Sequence, residues 1–247
     1  MKACGGCRGS WKRAELHMKT IGLIGGMSWE SSAEYYRMIN QEMKRRLGAH
    51  NNARSLMLTV NFDEIEGMQH RGEWETLGAL MQDAARRLEA SGADCIVLCT
   101  NTMHKMAAQI EAAVSIPFLH IADPTAAAIK QRGFTKIGLV GTRFTMEHDF
   151  YCGRLESQHG LSVLTPHDAD RDMVHKVIYE ELCHGKVLDA SRRKYQRVID
   201  DLKARGAQAV ILGCTEITLL VKPEHSSLPV FDTTGIHAEA AVSFALA

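Results

Sequence analysis

Two short phrases hold the side chains best suited to chemistry. "GADCIVLCTNT" runs from Gly92 to Thr102, and "GAQAVILGCTE" runs from Gly206 to Glu216, 114 positions later. In register, Thr100 stands opposite Cys214, Asn101 opposite Thr215, and Thr102 opposite Glu216. Cys99 stands opposite Gly213, so the two thiols are out of step by one. A thiolate is a capable base toward carbon, because the free thiol has a pKa of about 8.5 and a helix N-terminus lowers it. A threonine hydroxyl does not ionise near neutral pH, yet it can hand a proton to a strongly basic carbanion. Inverting a stereocentre by proton transfer needs one group to remove a proton from one face and another to return one to the opposite face. Thr100 and Cys214 are the pair expected to do this. A helix start after Cys214 would also attract an anion such as a carboxylate.

These residues need a scaffold that brings two chain segments together. The phrases belong to a longer repeat, since "IGLIGG" at Ile21 to Gly26 echoes "IGLVGT" at Ile137 to Thr142, 116 positions apart. A nearly constant offset indicates two like units of about 115 residues and not a solenoid, whose period is about 20–50. Each unit alternates short apolar runs with helical patterns. The first reads as strands at "TIGLIGG", "LMLTVNF" (Leu56 to Phe62), "CIVLC" (Cys95 to Cys99) and "IPFLHIA" (Ile116 to Ala122). Helices are predicted over about 31–47 and 72–90, and again from Asn101. "KIGLVGT", "LSVLTP", "AVILGC" and "LPVFDT" repeat the plan. Continuous apolar runs between helices suit buried parallel sheets. The expected fold is therefore α/β, with two similar parallel-sheet domains facing each other about a pseudo-twofold axis. In open parallel sheets ligands gather at the carboxyl ends of the strands, where Thr100 and Cys214 both fall. Adjacent side chains on a strand point to opposite faces, which sends Cys99 into the core if Thr100 faces a cleft. Cys95 reads as packing too, and Cys152 and Cys183, in helical patterns, read as structural.

Bulk composition narrows the function classes. Formal net charge is zero, which gives no reason to expect nucleic acid or an anionic membrane as partner. No apolar run approaches the roughly 20 residues needed to span a bilayer. Seven scattered cysteines point to free thiols in a reducing compartment, hence the cytoplasm. Residues 1–17 contain no apolar stretch of signal-peptide type, and Met18 opens the first strand pattern. They are expected to be a disordered extension, whose Cys4 and Cys7 lack a second pair with zinc-like spacing. No metal site is expected.

At this point "GLIGGMSW", "CTNT" and "GCTE", in that order, resemble the aspartate/glutamate racemase family of PLP-independent enzymes, over essentially Met18 to Ala247. Glu216 resembles the aspartate-racemase branch, where glutamate racemases usually carry His. The resemblance implies two Rossmann-like domains, an active site in the interdomain cleft, a small-molecule amino-acid substrate, no cofactor and a homodimer. It divides the chain into a first domain over 18–116, completed by about 226–247, and a second over 117–225. Carried over, Cys214 matches the second catalytic cysteine, which acts on the L-enantiomer, and Thr100 replaces the first. Asn101 and Thr102 match the carboxylate-binding pair after the first cysteine, and Thr215 and Glu216 match the equivalents after the second. Met27 falls in the first-strand loop that lines the substrate site. Aspartate racemases place basic residues against the side-chain carboxylate. Met68 or Gln69 and Cys183 occupy those places here, with Arg71 and Lys186 nearby. The implied substrate is L-aspartate, L-glutamate or a related polar amino acid, with a bias toward the L-enantiomer.

Other readings stay open. A single-cysteine decarboxylase or isomerase of the same superfamily would need only Cys214, a broad-specificity racemase would accept many side chains, and a binding protein would need neither group. "DMVHKVIYEELCHG" reads as an amphipathic surface helix, and His104 as a helix-surface residue or a support for the site. Asn101 and Thr102 could also cap a helix.

Overall fold

The computed structural model describes residues 18–247. The expected extension at 1–17, with Cys4 and Cys7, lies outside the described residues. Among the described residues, eight strands are present: β1 (Ile21–Gly25), β2 (Ser55–Thr59), β3 (Cys95–Leu98), β4 (Phe118–Leu119), β5 (Lys136–Gly141), β6 (Ser162–Leu164), β7 (Ala209–Gly213) and β8 (Val230–Asp232). They form two four-stranded parallel sheets, ordered β2-β1-β3-β4 and β6-β5-β7-β8. The central strands β1, β3 and β7 are buried along their whole length, as continuous apolar runs between helix layers should be. No described helix is long and apolar enough to cross a membrane.

The sequence repeat is a structural repeat down to single hydrogen bonds. Gly92 and Gly206, at φ +93° and +94°, make the same left-handed turn into β3 and β7. Ala93 N donates to Leu88 O at 3.1 Å, and Ala207 N to Leu202 O at 2.9 Å. Asp94 N donates to Thr20 O and Gln208 N to Lys136 O, both at 2.8 Å. Ile96 N and Val210 N then reach the carbonyls of Pro117 and Pro229.

Sheet membership differs in detail from the expected division of the chain. Phe118–Leu119 lies beyond position 116 yet pairs with β3 in the first sheet, and Val230–Asp232, within 226–247, pairs with β7 in the second. The helix after each fourth strand crosses to the other sheet. Helix Ala122–Gln131 buries Ala122, Ala126 and Ile129 in the core of the second, and helix Thr233–Leu246 buries Ala238, Ala241 and Val242 in the core of the first. This exchange ties the two units together.

Helix Phe62–Arg71 is absent from the sequence reading, as is helix Ala122–Gln131. β2 stops at Thr59, and the predicted strand end at Phe62 is instead the start of helix Phe62–Arg71. Gly72, in the left-handed conformation, ends that helix before Trp74–Ala90 begins. The local signal was Asn61 followed by Asp63 and Glu64, a helix start with acids in the first turn. At the end of β1, Gly26 has φ +93°, and a Cβ there would stand 2.1 Å from Val60 O. Only glycine fits that turn, which delivers Met27 and Ser28 to the site.

Candidate functional site

The carboxyl ends of both sheets converge on one cavity. Met27 comes from the turn after β1, Phe62 and Gln69 from the helix after β2, and Thr100, Asn101 and Thr102 from the end of β3. The second unit supplies Thr142 after β5, Ile178, Tyr179 and Cys183 after β6, and Cys214, Thr215 and Glu216 after β7. All eight residues singled out from sequence for catalysis or binding, Thr100, Cys214, Met27, Gln69, Asn101, Thr102, Thr215 and Glu216, line this cavity. Its free volume is about 20 Å³, room for about one water molecule. An amino acid can occupy it only after the lining side chains or the two units move apart.

On the β7 side, the Cys214 thiol donates to Glu216 Oε2 at 2.9 Å, and Ser28 Oγ donates to Glu216 Oε1 at 2.9 Å. Glu216 is buried, and its carboxylate is thus held from both sides. Ser28 is itself fixed as the N-cap of helix Trp29–Leu47, accepting from Ser31 N. Burial, the Glu216 carboxylate and Cys183 together push the Cys214 thiol well above its ordinary pKa. This corrects the expectation of a thiol acidified by a helix start. The helix beyond is only Ile217–Leu220, and the groups against the sulfur are an acid and a second thiol. A proton acceptor, not a dipole, is what stands beside Cys214.

Behind Thr215 a line of hydroxyls crosses between the units. Thr234 Oγ1 donates to Thr215 Oγ1 at 3.2 Å, Thr215 and Ser31 hydroxyls lie 2.8 Å apart, and Ser31 Oγ donates to Cys99 O at 2.8 Å. Since Ser31 gives its proton to that carbonyl, Thr215 donates to Ser31. The line therefore ends on the peptide preceding Thr100.

On the β3 side, Thr100 is half-buried at the cavity wall. Its carbonyl accepts from His104 Nδ1 at 2.7 Å, while His104 Nε2 accepts from Ile121 N at 3.1 Å. These two bonds require the neutral Nδ1–H tautomer. Burial, with His120 and His237 nearby, lowers the His104 pKa well below the usual value. His104 is thus a buried support of the Thr100 backbone and not a helix-surface residue. Asn101 Nδ2 donates to Thr233 Oγ1 at 3.1 Å, and Thr233 Oγ1 donates on to Leu212 O. Asn101 Oδ1 is buried and has no hydrogen-bond partner. Asn101 makes no side-chain capping bond to the turn that follows. Thr102 and Thr142 hydroxyls meet at 3.0 Å across the units. Cys99 is fully buried beside Ile21, Leu23 and Tyr35, facing the core as strand alternation requires, and burial pushes its thiol pKa up.

The far end of the cavity is uncharged. Tyr179 OH donates to Gln69 Oε1 at 3.2 Å, joining the units, and Gln69 Nε2 points to Met103 Sδ. Phe62, Ile178 and Cys183 complete this end. No lysine or arginine lines it. Arg71 turns to Glu73 at 2.6 Å, and Lys186 is exposed. Helix Asp168–Glu180, read from sequence as a surface element, contributes Ile178 and Tyr179 to the wall. The sequence signal for this was slight: Tyr179 lies four residues before Cys183, one helical turn away. Among the described residues, no group of three or more His, Cys, Asp or Glu is placed to hold a metal ion.

Known proteins share this fold. The crystal structure of a candidate Asp/Glu racemase from Yersinia pestis superposes with a TM-score of 0.88 at 56% identity, covering 93% of this chain and 100% of that one. An aspartate racemase homologue from Pyrococcus horikoshii superposes with a TM-score of 0.79 at 33% identity, covering 92% and 99%. The broad-specificity amino-acid racemase RacX of Bacillus subtilis is 21% identical over 236 residues, 92% of this chain and 98% of that protein. The sequence pattern of Asp/Glu/Hydantoin racemases matches residues 24–241, so the chain belongs to that family.

Proposed function

We propose that this chain is a cofactor-independent amino-acid racemase that moves the Cα proton between Cys214 and Thr100. The observation that carries this reading is the pairing of Thr100 and Cys214, from equivalent strand ends of the two units, in one cavity. Glu216 takes the thiol proton along the 2.9 Å hydrogen bond, giving a Cys214 thiolate. The thiolate removes the Cα proton of an L-amino acid and becomes the thiol again, the Thr100 hydroxyl delivers a proton to the opposite face, and the proton held by Glu216 passes through water to the Thr100 alkoxide, which restores the starting state. Asn101 Oδ1, an acceptor with no donor, suits the substrate ammonium. The hydroxyls of Thr102 and Thr215 and the side chain of Met27 shape the carboxylate and backbone end. Gln69 and Tyr179 meet the side chain. A second carboxylate there would find neutral donors only, so uncharged polar side chains should be turned over at least as fast as aspartate and glutamate. The open acceptor on Asn101 favours an amino acid over the carboxylic acids a single-cysteine decarboxylase would take. The test is Cα–H exchange in D₂O, followed by proton NMR, with chiral chromatography of each polar L-amino acid. Loss of the Cα–H signal together with appearance of the D-enantiomer is expected. Exchange and inversion absent for every polar amino acid would overturn the reading.

A further inference from the structure

After each conversion of L-substrate the proposed cycle leaves a proton on Glu216 and an alkoxide at Thr100. The site must pass a proton through water before it can act again. The central cavity has room for about one water molecule, too little for a chain of waters. Glu216, however, also faces outward. With Thr215 and Ser31 it floors a groove of about 250 Å³ between helix Trp29–Leu47 and helix Ile217–Leu220. Trp29, 68% exposed, and Leu219, 41% exposed, wall this groove, so it opens to solvent. Of the groups lining the central cavity, only Thr215 and Glu216 line the groove as well. The two carboxyl oxygens divide accordingly. Oε2 meets the Cys214 thiol, and Oε1 meets Ser28, directly before the residues that line the groove. Half a rotation of the carboxyl carries a proton from the sulfur side to the groove side. The floor is polar, with the Ser31 and Thr215 hydroxyls 2.8 Å apart, and the volume admits several waters that find hydrogen-bonding partners. Two further acids, Glu30 and Glu34, stand on the rim. Glu34 is taken up by Arg37, whereas Glu30 has no ion pair among the described residues. Cys183 senses both ends of this route: burial first, then Glu216, Glu66 and Glu30, push its thiol pKa up.

We propose that this groove is the proton port of the site, and that Glu30 is the relay carboxylate that takes the proton from Glu216 through groove water and passes it to bulk solvent. The proposal rests on the Cys214–Thr100 proton cycle proposed above. Glu216 gives its proton to a groove water, Glu30 takes a proton from that water, and Glu30 loses it to solvent. An equivalent proton reaches the Thr100 alkoxide from water. No electrons move, and both carboxyls end as carboxylates beside a thiol and a hydroxyl, the state that accepts L-substrate. Glu30 touches neither substrate nor sulfur. It acts through Glu216 and sets how fast the emptied enzyme returns. An acid in the first turn of a helix also steadies that helix, so proton return has to be read apart from stability.

Initial rates from each enantiomer make that separation. Return of the emptied enzyme limits kcat but does not enter kcat/KM, which runs from free enzyme and substrate to the transition state. Glu30→Gln should lower kcat for the L-enantiomer several-fold and leave kcat/KM unchanged. It should leave kcat for the D-enantiomer unchanged too, because there the hydroxyl base is already slow. Added imidazole or acetate, small enough to enter the groove, should restore kcat for L. Ala33→Phe, which fills the groove from an exposed helix position, should give the same loss without rescue by either buffer. A wild-type chain that inverts no amino acid would sink the racemase reading and this proposal with it. Racemisation by the wild type with kcat untouched by both substitutions overturns the port alone. A loss shared equally by kcat and kcat/KM, or a Glu30→Gln loss that no buffer restores, overturns it as well.

Discussion

Lowering the pH from 7 to 5 should remove a large share of the folding stability, through three histidines buried behind Thr100. His104, His120 and His237 cluster where helix Thr233–Leu246 crosses onto the first unit, with ring centroids 4.7 Å apart for His104 and His120 and 5.8 Å for His104 and His237. Their hydrogen bonds use the neutral forms. His237 donates from Nε2 to Leu119 O and accepts from Tyr35 OH, and His120 Nδ1 accepts from Ala122 N. Burial drives the His237 pKa down to about 4 and that of His120 to about 3. In the unfolded chain each titrates near 6.5, so between these values the unfolded state binds the extra protons. Stability therefore falls as the pH drops below about 6.5, and the loss from each group ends only near its folded pKa. At pH 5 the linkage relation gives about 2 kcal/mol lost per histidine, hence about 4 kcal/mol for His120 and His237 together. His104, shifted in the same direction, adds to this. A domain with a stability of 5–15 kcal/mol would lose a quarter or more of it. Asp232 acts oppositely, because burial raises its pKa and protonation then favours the fold. Carboxylates held low, such as Glu42 at about 2 beside Arg45 and Arg46, lose their contribution only as the pH falls through their unfolded value near 4.5 and below, so they add little by pH 5. Urea midpoints measured from pH 7.5 to 4.5 check the window, with His237→Gln expected to shrink the pH 7-to-5 loss by about 2 kcal/mol. A wild-type loss under about 1 kcal/mol, or a loss unchanged by His237→Gln, would refute the argument.

Three further outcomes follow from the site. Glu216→Gln should lower turnover of the L-enantiomer by about 10²–10⁴, the usual worth of a positioned general base, while the pH midpoint of Cys214 alkylation moves down because a neighbouring negative charge is gone. Turnover that holds steady would remove Glu216 from the proton path. Cys214→Ala should abolish Cα exchange, whereas Cys99→Ala should leave it within a fewfold of wild type and cost only the stability of a buried small side chain; the reverse pattern in the exchange assay would exchange their roles. Thr100→Cys should raise turnover of the D-enantiomer most, seen in initial rates from each enantiomer, and no gain would mean Thr100 is not the second proton carrier.

The strands, the parallel character of the sheets and the equivalence of the two units were legible because each depends on local pattern. The apolar runs, the glycines at 92 and 206, and the strand-end positions of Thr100 and Cys214 all lie within short windows. Helix Phe62–Arg71 was missed for an opposite reason: "LMLTVNF" continues a strand-like run past the point where Gly26 and Val60 close β2 against β1. The parts of the site that carry its electrostatics were hidden by distance along the chain. Ser28 and Glu216 are 188 positions apart, and Gln69 and Tyr179 are 110 apart. Nothing in either segment alone signals the other. The open acceptor on Asn101 was equally invisible, since it arises from what Thr233 and Leu212 leave unpaired. The upward shift of the Cys214 thiol likewise depends on burial and on how closely Glu216 and Cys183 approach it, which no local pattern shows.

The repeated phrase therefore encodes a shared scaffold with two different endings. Both copies deliver a side chain from a strand end into one cavity, but only the β7 copy carries an acid two residues on that bonds back to it. At the β3 end the equivalent position, Thr102, bonds across to Thr142 instead. Under the proposed mechanism, one side can both take and give a proton, while the other gives readily and takes poorly. This difference cannot move the equilibrium, because enantiomers have equal free energy in water. With an equilibrium constant of one, kcat/KM must match in the two directions. The inequality between thiol and hydroxyl must then appear in how each direction divides between binding and turnover. Starting from L, the strong base acts first and the enzyme can saturate with substrate that it converts. Starting from D, the hydroxyl must begin as base, so kcat is low and a matching fall in KM is required. A slow D-direction that also saturates at low concentration is the signature that separates an unequal proton pair from a merely impaired enzyme.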